Sequence, residues 1–224
     1  MTAEPTAPPP PARARKRPSA ENAQTMASKQ RDISVSEFFT KNRHLLGFDN
    51  PRKALLTCVK EAVDNALDAC EEAHILPDVA IELRQVEGAG GEAAGDRFVV
   101  AVQDNGPGIV KEQIKKVFGK LLYGSKFHRL RMSRGQQGIG IAAAGMYGLI
   151  TTGKAMKITS RTAKGKPAHY QEIQIDTNRN EPIVTQDVEK EWSREQGTRV
   201  EIQMVAKYLK GKQSVDEYLE QTAI

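Results

Sequence analysis

Residues Lys60–Glu72 read KEAVDNALDACEE, and the spacing of their apolar members decides how the chain folds. With each residue turning about 100° along an α-helix, Leu55, Val59, Ala62, Val63, Ala66 and Cys70 fall on one stripe. Glu61, Asn65, Asp68 and Glu72 line up at i, i+4, i+7 and i+11 on the opposite side. Such a polar row suits either a solvated helix face or a working site. Asn65 favours the site, because asparagine is a poor helix former in mid-helix and its carbonyl oxygen can ligate a hard cation such as Mg²⁺. Glu61, one turn earlier, is a carboxylate that can polarise water. Asn50 is placed to cap this helix and Pro51 suits its first position, and the helix is expected to run to about His74, before Pro77.

Working outward, Ser34–Phe48 (SVSEFFTKNRHLLGF) reads as a short helix and turn. Met1–Arg31 contains APPPPARARKRP and nothing that could pack a core, so a disordered, basic arm is expected there. That arm holds six Lys/Arg against Glu4 and Glu21, so it carries +4 of the net charge of +5. The body is close to neutral, and the basic pI speaks for a solvated tail more than for a nucleic-acid surface. Cys58 and Cys70 lack metal-ligand spacing and read as buried thiols of a reducing compartment. No apolar run reaches membrane-spanning length and no signal-peptide core follows Met1, so a cytoplasmic location is expected.

Downstream, Val79, Ile81 and Leu83 alternate as a strand, and the Gly-rich stretch Gly88–Gly95 turns into a second strand at Phe98–Val102. A helix over Val110–Tyr123, a basic loop over Gly124–Arg134 and a small-residue helix over Ile139–Leu149 follow. Further strands are expected around Met156–Ser160, Tyr170–Ile175 and Thr198–Met204, and a helix begins at SVDEYLEQTAI with Ser214 as its cap. The pattern predicts an α+β fold: two layers, with helices on one face of a mixed β-sheet.

Two glycine-rich segments join the helix as candidate site elements. In VVAVQDNGPGI (Val99–Ile109) a strand delivers Asp104 into a loop where Gly106 and Gly108 lack a Cβ, so a flat ligand can approach the backbone. A carboxylate there can accept a hydrogen bond from an exocyclic amine, although DNGPG alone is also an ordinary β-turn. In RGQQGIGIAAAG, Gly135, Gly138 and Gly140 precede a helix whose N-terminal amides and partial positive charge suit phosphate oxygens. The spacing is GxxGxG, which does not match the GxGxxG of dinucleotide-binding folds. Gly148–Ala155 (GLITTGKA) matches GxxxxGK by chance: Ala155 replaces the cation-binding hydroxyl, and a helix precedes where a P-loop has a strand. Lys111–Arg134 holds eight Lys/Arg against Glu112 alone, and reads as a lid drawn in by bound nucleotide, with a permanent DNA surface as the competing reading.

Together and in this order, the three segments resemble the GHKL superfamily, whose ATP site is built on a Bergerat-type sandwich. EAVDNALDACEEAHILP, FGKLLYGSKFHRLRMSRGQQGIGIAAA and ITTGK are similar in particular to topoisomerase VI B subunits, from about Ser34 onward. The resemblance implies that Glu61 is the general base and that Asn65 holds Mg²⁺ together with the ATP phosphates, with Asp68 also at the nucleotide. It implies that Asp104 reads the adenine amine assisted by Thr198, with Gly106 and Gly108 beside the base. Ser125 and Lys126 would reach toward the nucleotide, and Gly135, Gln136, Gln137, Gly138, Ile139, Gly140 and Ile141 would wrap the phosphates.

The resemblance further implies ATP-gated homodimerisation and duplex DNA strand passage in an A2B2 assembly, whose separate A subunit carries the DNA-cleaving tyrosine, in a nucleoid-associated setting. Residues 32–50 would form a strap-like segment, 51–208 the ATP-binding domain, and 209–224 the start of a following helical segment. The family's switch lysine lies on a later transducer domain, so hydrolysis by residues 1–224 alone is expected to be inefficient. Two other readings share the site: a nucleotide-sensing module with little turnover, and a histidine kinase catalytic domain. The latter should bring a phosphoacceptor histidine on a dimerisation helix, which the surroundings of His44 do not provide.

Overall fold

The computed structural model describes residues 34–86, 96–121, 123 and 139–223. The N-terminal arm, the Gly88–Gly95 turn, Ser125, Lys126 and Gly135–Gly138 lie outside the described residues.

The helix predicted from KEAVDNALDACEE is α2, Pro51–Glu72, with Asn50 Oδ1 accepting the Lys53 N–H and Pro51 in the first turn. Ahead of it comes α1, Val35–Asn42, capped by the Ser34 hydroxyl. Phe39 and Phe48 of this leading segment are buried in the domain's own core, Phe48 standing 5.3 Å from the Tyr147 ring.

Six strands follow: β1 Ala80–Val86, β2 Asp96–Gln103, β3 Met156–Arg161, β4 Ala168–Asp176, β5 Glu181–Lys190 and β6 Gly197–Ala206. They form one sheet in the order β1-β2-β6-β3-β4-β5. Every pairing is antiparallel, which corrects the expected mixed sheet. The reason is topological. The chain leaves β2 through the helical connection α3 (Lys111–Gly119) and α4 (Gly140–Thr152) and returns as β3 running the same way, the sequence signature of a parallel pair. β6, the last strand in the chain, inserts between them and pairs antiparallel with both.

Along β6 alternate residues are buried, and Val200, Ile202 and Met204 meet Val100, Val102 and Ile158 in the core under α2 and α4. The expected two-layer α+β sandwich is therefore present. α4 packs closely because it is made of small residues: a Cβ on Gly145 would stand 2.1 Å from the Met156 sulfur, and one on Gly148 2.7 Å from Gln203 O. The opposite face of the sheet is charged, with Arg199 bonded to Glu82 and Glu201 at 2.9 Å each.

Two elements differ from expectation. α3 stops at Gly119 instead of Tyr123: the next residue, Lys120, is extended, and Gly119 lies against Pro182 and Ile173 with no space for a Cβ. The next residue but one, Leu121, exchanges backbone bonds with the Asn180 side chain. β5 was not expected at all. The final helix α5, Val215–Thr222, is capped by Ser214 as expected and packs back on the domain: Val215 is buried and Tyr218 donates to Asp64 Oδ1 at 2.8 Å.

Candidate adenine-nucleotide site

Three neighbouring strands turn polar at the same end. On β2 the inward row Val100, Val102 continues to Asp104; on β6 it runs Ile202, Val200, Thr198; on β3 it runs Met156, Ile158, Ser160. These core-facing rows change from aliphatic to hydrogen-bonding side chains at adjacent strand ends, forming a polar floor whose buried groups need hydrogen-bond partners. Asp104 is 8% exposed. Its Oδ1 accepts both the Gly106 N–H at 2.8 Å and the Thr198 N–H at 3.0 Å, while its own N–H donates to Thr198 O. Both side-chain bonds end on Oδ1, so Oδ2 is the atom left for a ligand amine. Burial pushes the Asp104 carboxyl above the usual carboxylate range, opposed by the two amides and the charge of Arg194.

The glycines around Asp104 serve the chain before any ligand. A Cβ on Gly108 would stand 2.1 Å from Arg161 O, and one on Gly197 would stand 2.1 Å from Asp104 O; both residues have positive φ. Gly106 has only the Asp104 carboxylate and the Cys70 sulfur within 3.4 Å of such a carbon. The loop is pinned from the other side by Asn105, whose Oδ1 accepts the Asp78 N–H and whose Nδ2 donates to Leu76 O. Sequence reading missed Asn105, Asp64 and Ser160. The alternation Met-x-Ile-x-Ser in β3 was the signal available for Ser160.

α2 crosses this floor, and its polar row is no solvated face. Asp68 is 5% exposed, Glu61 and Asn65 are half-buried, and only Glu72 is fully on the surface. The Glu61 carboxylate lies at the first residue of α4: a Cβ on Gly140 would stand 1.8 Å from Glu61 Oε2. A negative charge is favoured at a helix N-terminus, and Gly140 leaves the space for it. Ile139 is half-buried and Ile141 buried at the same helix end. Burial raises both cysteine thiols, with the charges of Glu61 near Cys58 and Asp104 near Cys70 adding to it, so both are poor nucleophiles.

The segment Gly148–Ala155 runs out of α4 through a left-handed Gly153 into β3, the reverse of a P-loop. Among the described residues, no three His, Cys, Asp or Glu side chains gather as a metal site, and no helix is long and apolar enough to cross a membrane.

This fold and site define a class. The chain belongs to the family of histidine kinase-, DNA gyrase B- and HSP90-like ATPases, whose model matches residues 50–207. Within it, the chain is similar to the B subunit of type 2 DNA topoisomerase 6 from Methanosarcina barkeri, 56% identical over 204 residues that make up 90% of this chain and 32% of that protein. The protein of the same name from Archaeoglobus fulgidus is 52% identical over 200 residues, 89% of this chain and 32% of that protein. That from Halobacterium salinarum is 46% identical over 207 residues, 90% and 25% respectively. The chain thus spans about a third or less of the length of these curated relatives.

Proposed function

We propose that this chain is the ATP-binding and ATP-hydrolysing part of the B subunit of a type IIB topoisomerase. The observation that carries the reading is the buried polar end of the sheet, Asp104 bonded to Thr198, together with the polar row of α2, where Asp68 is buried and Glu61 and Asn65 are half-buried. In this reading Asp104 Oδ2 accepts the adenine amine, and Thr198 assists at the neighbouring edge of the base. Glu61 accepts a proton from, and so orients, the water that attacks the γ-phosphate. Asn65, half-buried on α2, would hold Mg²⁺ jointly with the phosphates; the ion would supply charge neutralisation there. Asp68 supports that polar row, and Ser125, Lys126 and Gly135–Ile141 are assigned to the phosphates.

ATP binding would close a homodimer, in which residues 32–50 act as the strap, and drive DNA strand passage by an A2B2 assembly with a separate DNA-cleaving A subunit. Phosphoryl transfer of this kind depends on positioning and electrostatics more than on covalent chemistry. Removing the base should therefore separate turnover from binding. In the complete assembly, Glu61→Ala is expected to lower ATP hydrolysis at least about a hundredfold while nucleotide affinity stays close to wild type. Unchanged turnover would reduce Glu61 to a structural carboxylate. Tight ATP binding with no turnover in the wild-type assembly would favour a nucleotide-sensing module instead.

A further inference from the structure

α5 and the turn before it are tied to α2 at two heights, and the second tie ends on a carboxylate that the proposed hydrolysis does not use. At the start of α2, Pro51 O accepts the Lys207 N–H at 3.2 Å and the Arg52 guanidinium donates to Lys212 O. Farther along α2, the Tyr218 phenol donates to Asp64 Oδ1 at 2.8 Å, and Ser214 and Val215 at the head of α5 are buried. Asp64 is itself 5% exposed, and a carboxylate is seldom buried unless a donor holds it. It follows Glu61 by three residues and directly precedes Asn65. At about 100° per residue it stands about 60° around the helix from Glu61, on the side that α5 covers. Any roll of α2 that moves Asp64 therefore carries Glu61 and Asn65 with it. The apolar side of α2 at this height is made of Ala62, Val63 and Ala66. Side chains this small make shallow ridges, which set the roll of a helix weakly. A hydrogen bond to a buried carboxylate sets it in both distance and angle.

We propose that Tyr218 is a positioning residue for ATP hydrolysis: its phenol holds Asp64, fixes the roll of α2, and so aims Glu61 at the attacking water and Asn65 at the phosphate-bound Mg²⁺. The inference rests on the nucleotide reading above and deepens it. The phenol acts through Asp64 and on the hydrolytic residues alone. Asp104 is held by bonds to Gly106 and Thr198 and does not depend on it. A residue that only fastened α5 would lower stability. A positioning residue lowers turnover and leaves nucleotide affinity in place.

The test is turnover and affinity of the complete assembly, measured separately by steady-state ATP hydrolysis and by calorimetry with a non-hydrolysable ATP analogue. Tyr218→Phe deletes one oxygen and keeps the ring. It is expected to lower kcat by about tenfold or more, the effect of one hydrogen bond to a charged group passed on to the reacting geometry. Affinity for the analogue should stay within about twofold of wild type. Asp64→Leu removes the acceptor and should lower kcat to the same level; it is read in place of Tyr218→Phe if thermal melting shows that variant to be unfolded. On the Asp64→Leu background, Tyr218→Phe should change kcat by no more than about twofold, since sites that act through one another are not additive. Asp64→Asn keeps an oxygen for the phenol, and its kcat should lie within about threefold of wild type. Unchanged kcat in folded Tyr218→Phe, full additivity with Asp64→Leu, equal losses in Asp64→Asn and Asp64→Leu, or kcat and affinity falling in step would overturn the proposal while leaving the nucleotide site intact. A wild-type assembly that binds no analogue, or binds it without turning ATP over, would overturn the hydrolytic reading itself, and this inference with it.

Discussion

β5 and β6 each have ten residues, yet they are strands for different reasons. β6 lies at the centre of the sheet, alternates between buried and half-buried positions, and ends at the site in Gly197 and Thr198. β5 lies at the edge, and all but two of its residues are exposed. It is held by the ladder to β4, by the Lys111–Asp187 and Lys120–Glu181 ion pairs, and by the turn at Asn180. A central strand is specified by what its side chains bury. An edge strand is specified by its neighbour's backbone, and charged residues there discourage pairing with other chains. The comparison predicts that substitutions near the start of β6 are costly, and that those along β5 are mild.

The largest effect is expected at Gly197. Alanine there would meet Asp104 O at 2.1 Å on a backbone with φ of +124°, so Gly197→Ala should destabilise the domain by about 3 kcal/mol or more. Thermal melting should record a fall of about 10 °C. A melt within a degree or two of wild type would break the claim that the start of β6 is costly to alter. Asn180→Ala is intermediate. It removes the bonds at 2.9 and 3.2 Å to Leu121 and places alanine at φ of +54°, and should cost about 1–2 kcal/mol in chemical denaturation. The smallest change belongs to Glu181→Gln, whose ion pair with Lys120 is exposed to solvent on both sides; about 0–1 kcal/mol is expected. A loss there as large as at Gly197 would show that the edge is specified by its side chains after all.

The same contrast explains what could be read from sequence. α2 was legible because its apolar stripe, its Asn50 cap and Pro51 all speak locally, and Asp104 because an alternating strand runs directly into it. β5 was not, because EPIVTQDVEK carries a proline at its second position and buries almost nothing, so its period of two carries no hydrophobic signal. The mixed sheet was expected because the helical connection between β2 and β3 is a local feature, whereas the insertion of β6 between them is a long-range pairing. Ser160 and Asp64 were missed for a related reason: each is defined by a partner far along the chain, Thr198 and Tyr218. The motif glycines were recognised, but their reasons differ in part. Gly108 and Gly140 first make room for Arg161 O and the Glu61 carboxylate of the protein itself.

The central claim is that Asp104 at the end of β2 reads the amine of an adenine nucleotide, and Asp104→Asn tests it with the fold held constant. Asparagine keeps the Oδ1 that accepts the Gly106 and Thr198 amides at 2.8 and 3.0 Å, so melting should be close to wild type. It replaces the free acceptor with an NH₂ group that faces the ligand amine donor to donor. Calorimetric titration with ATP·Mg²⁺ is then expected to show an affinity lower by at least about a hundredfold, since a site built to pair one polar group rejects the mismatch strongly. Equal affinity of wild type and Asp104→Asn, both folded, would contradict the account.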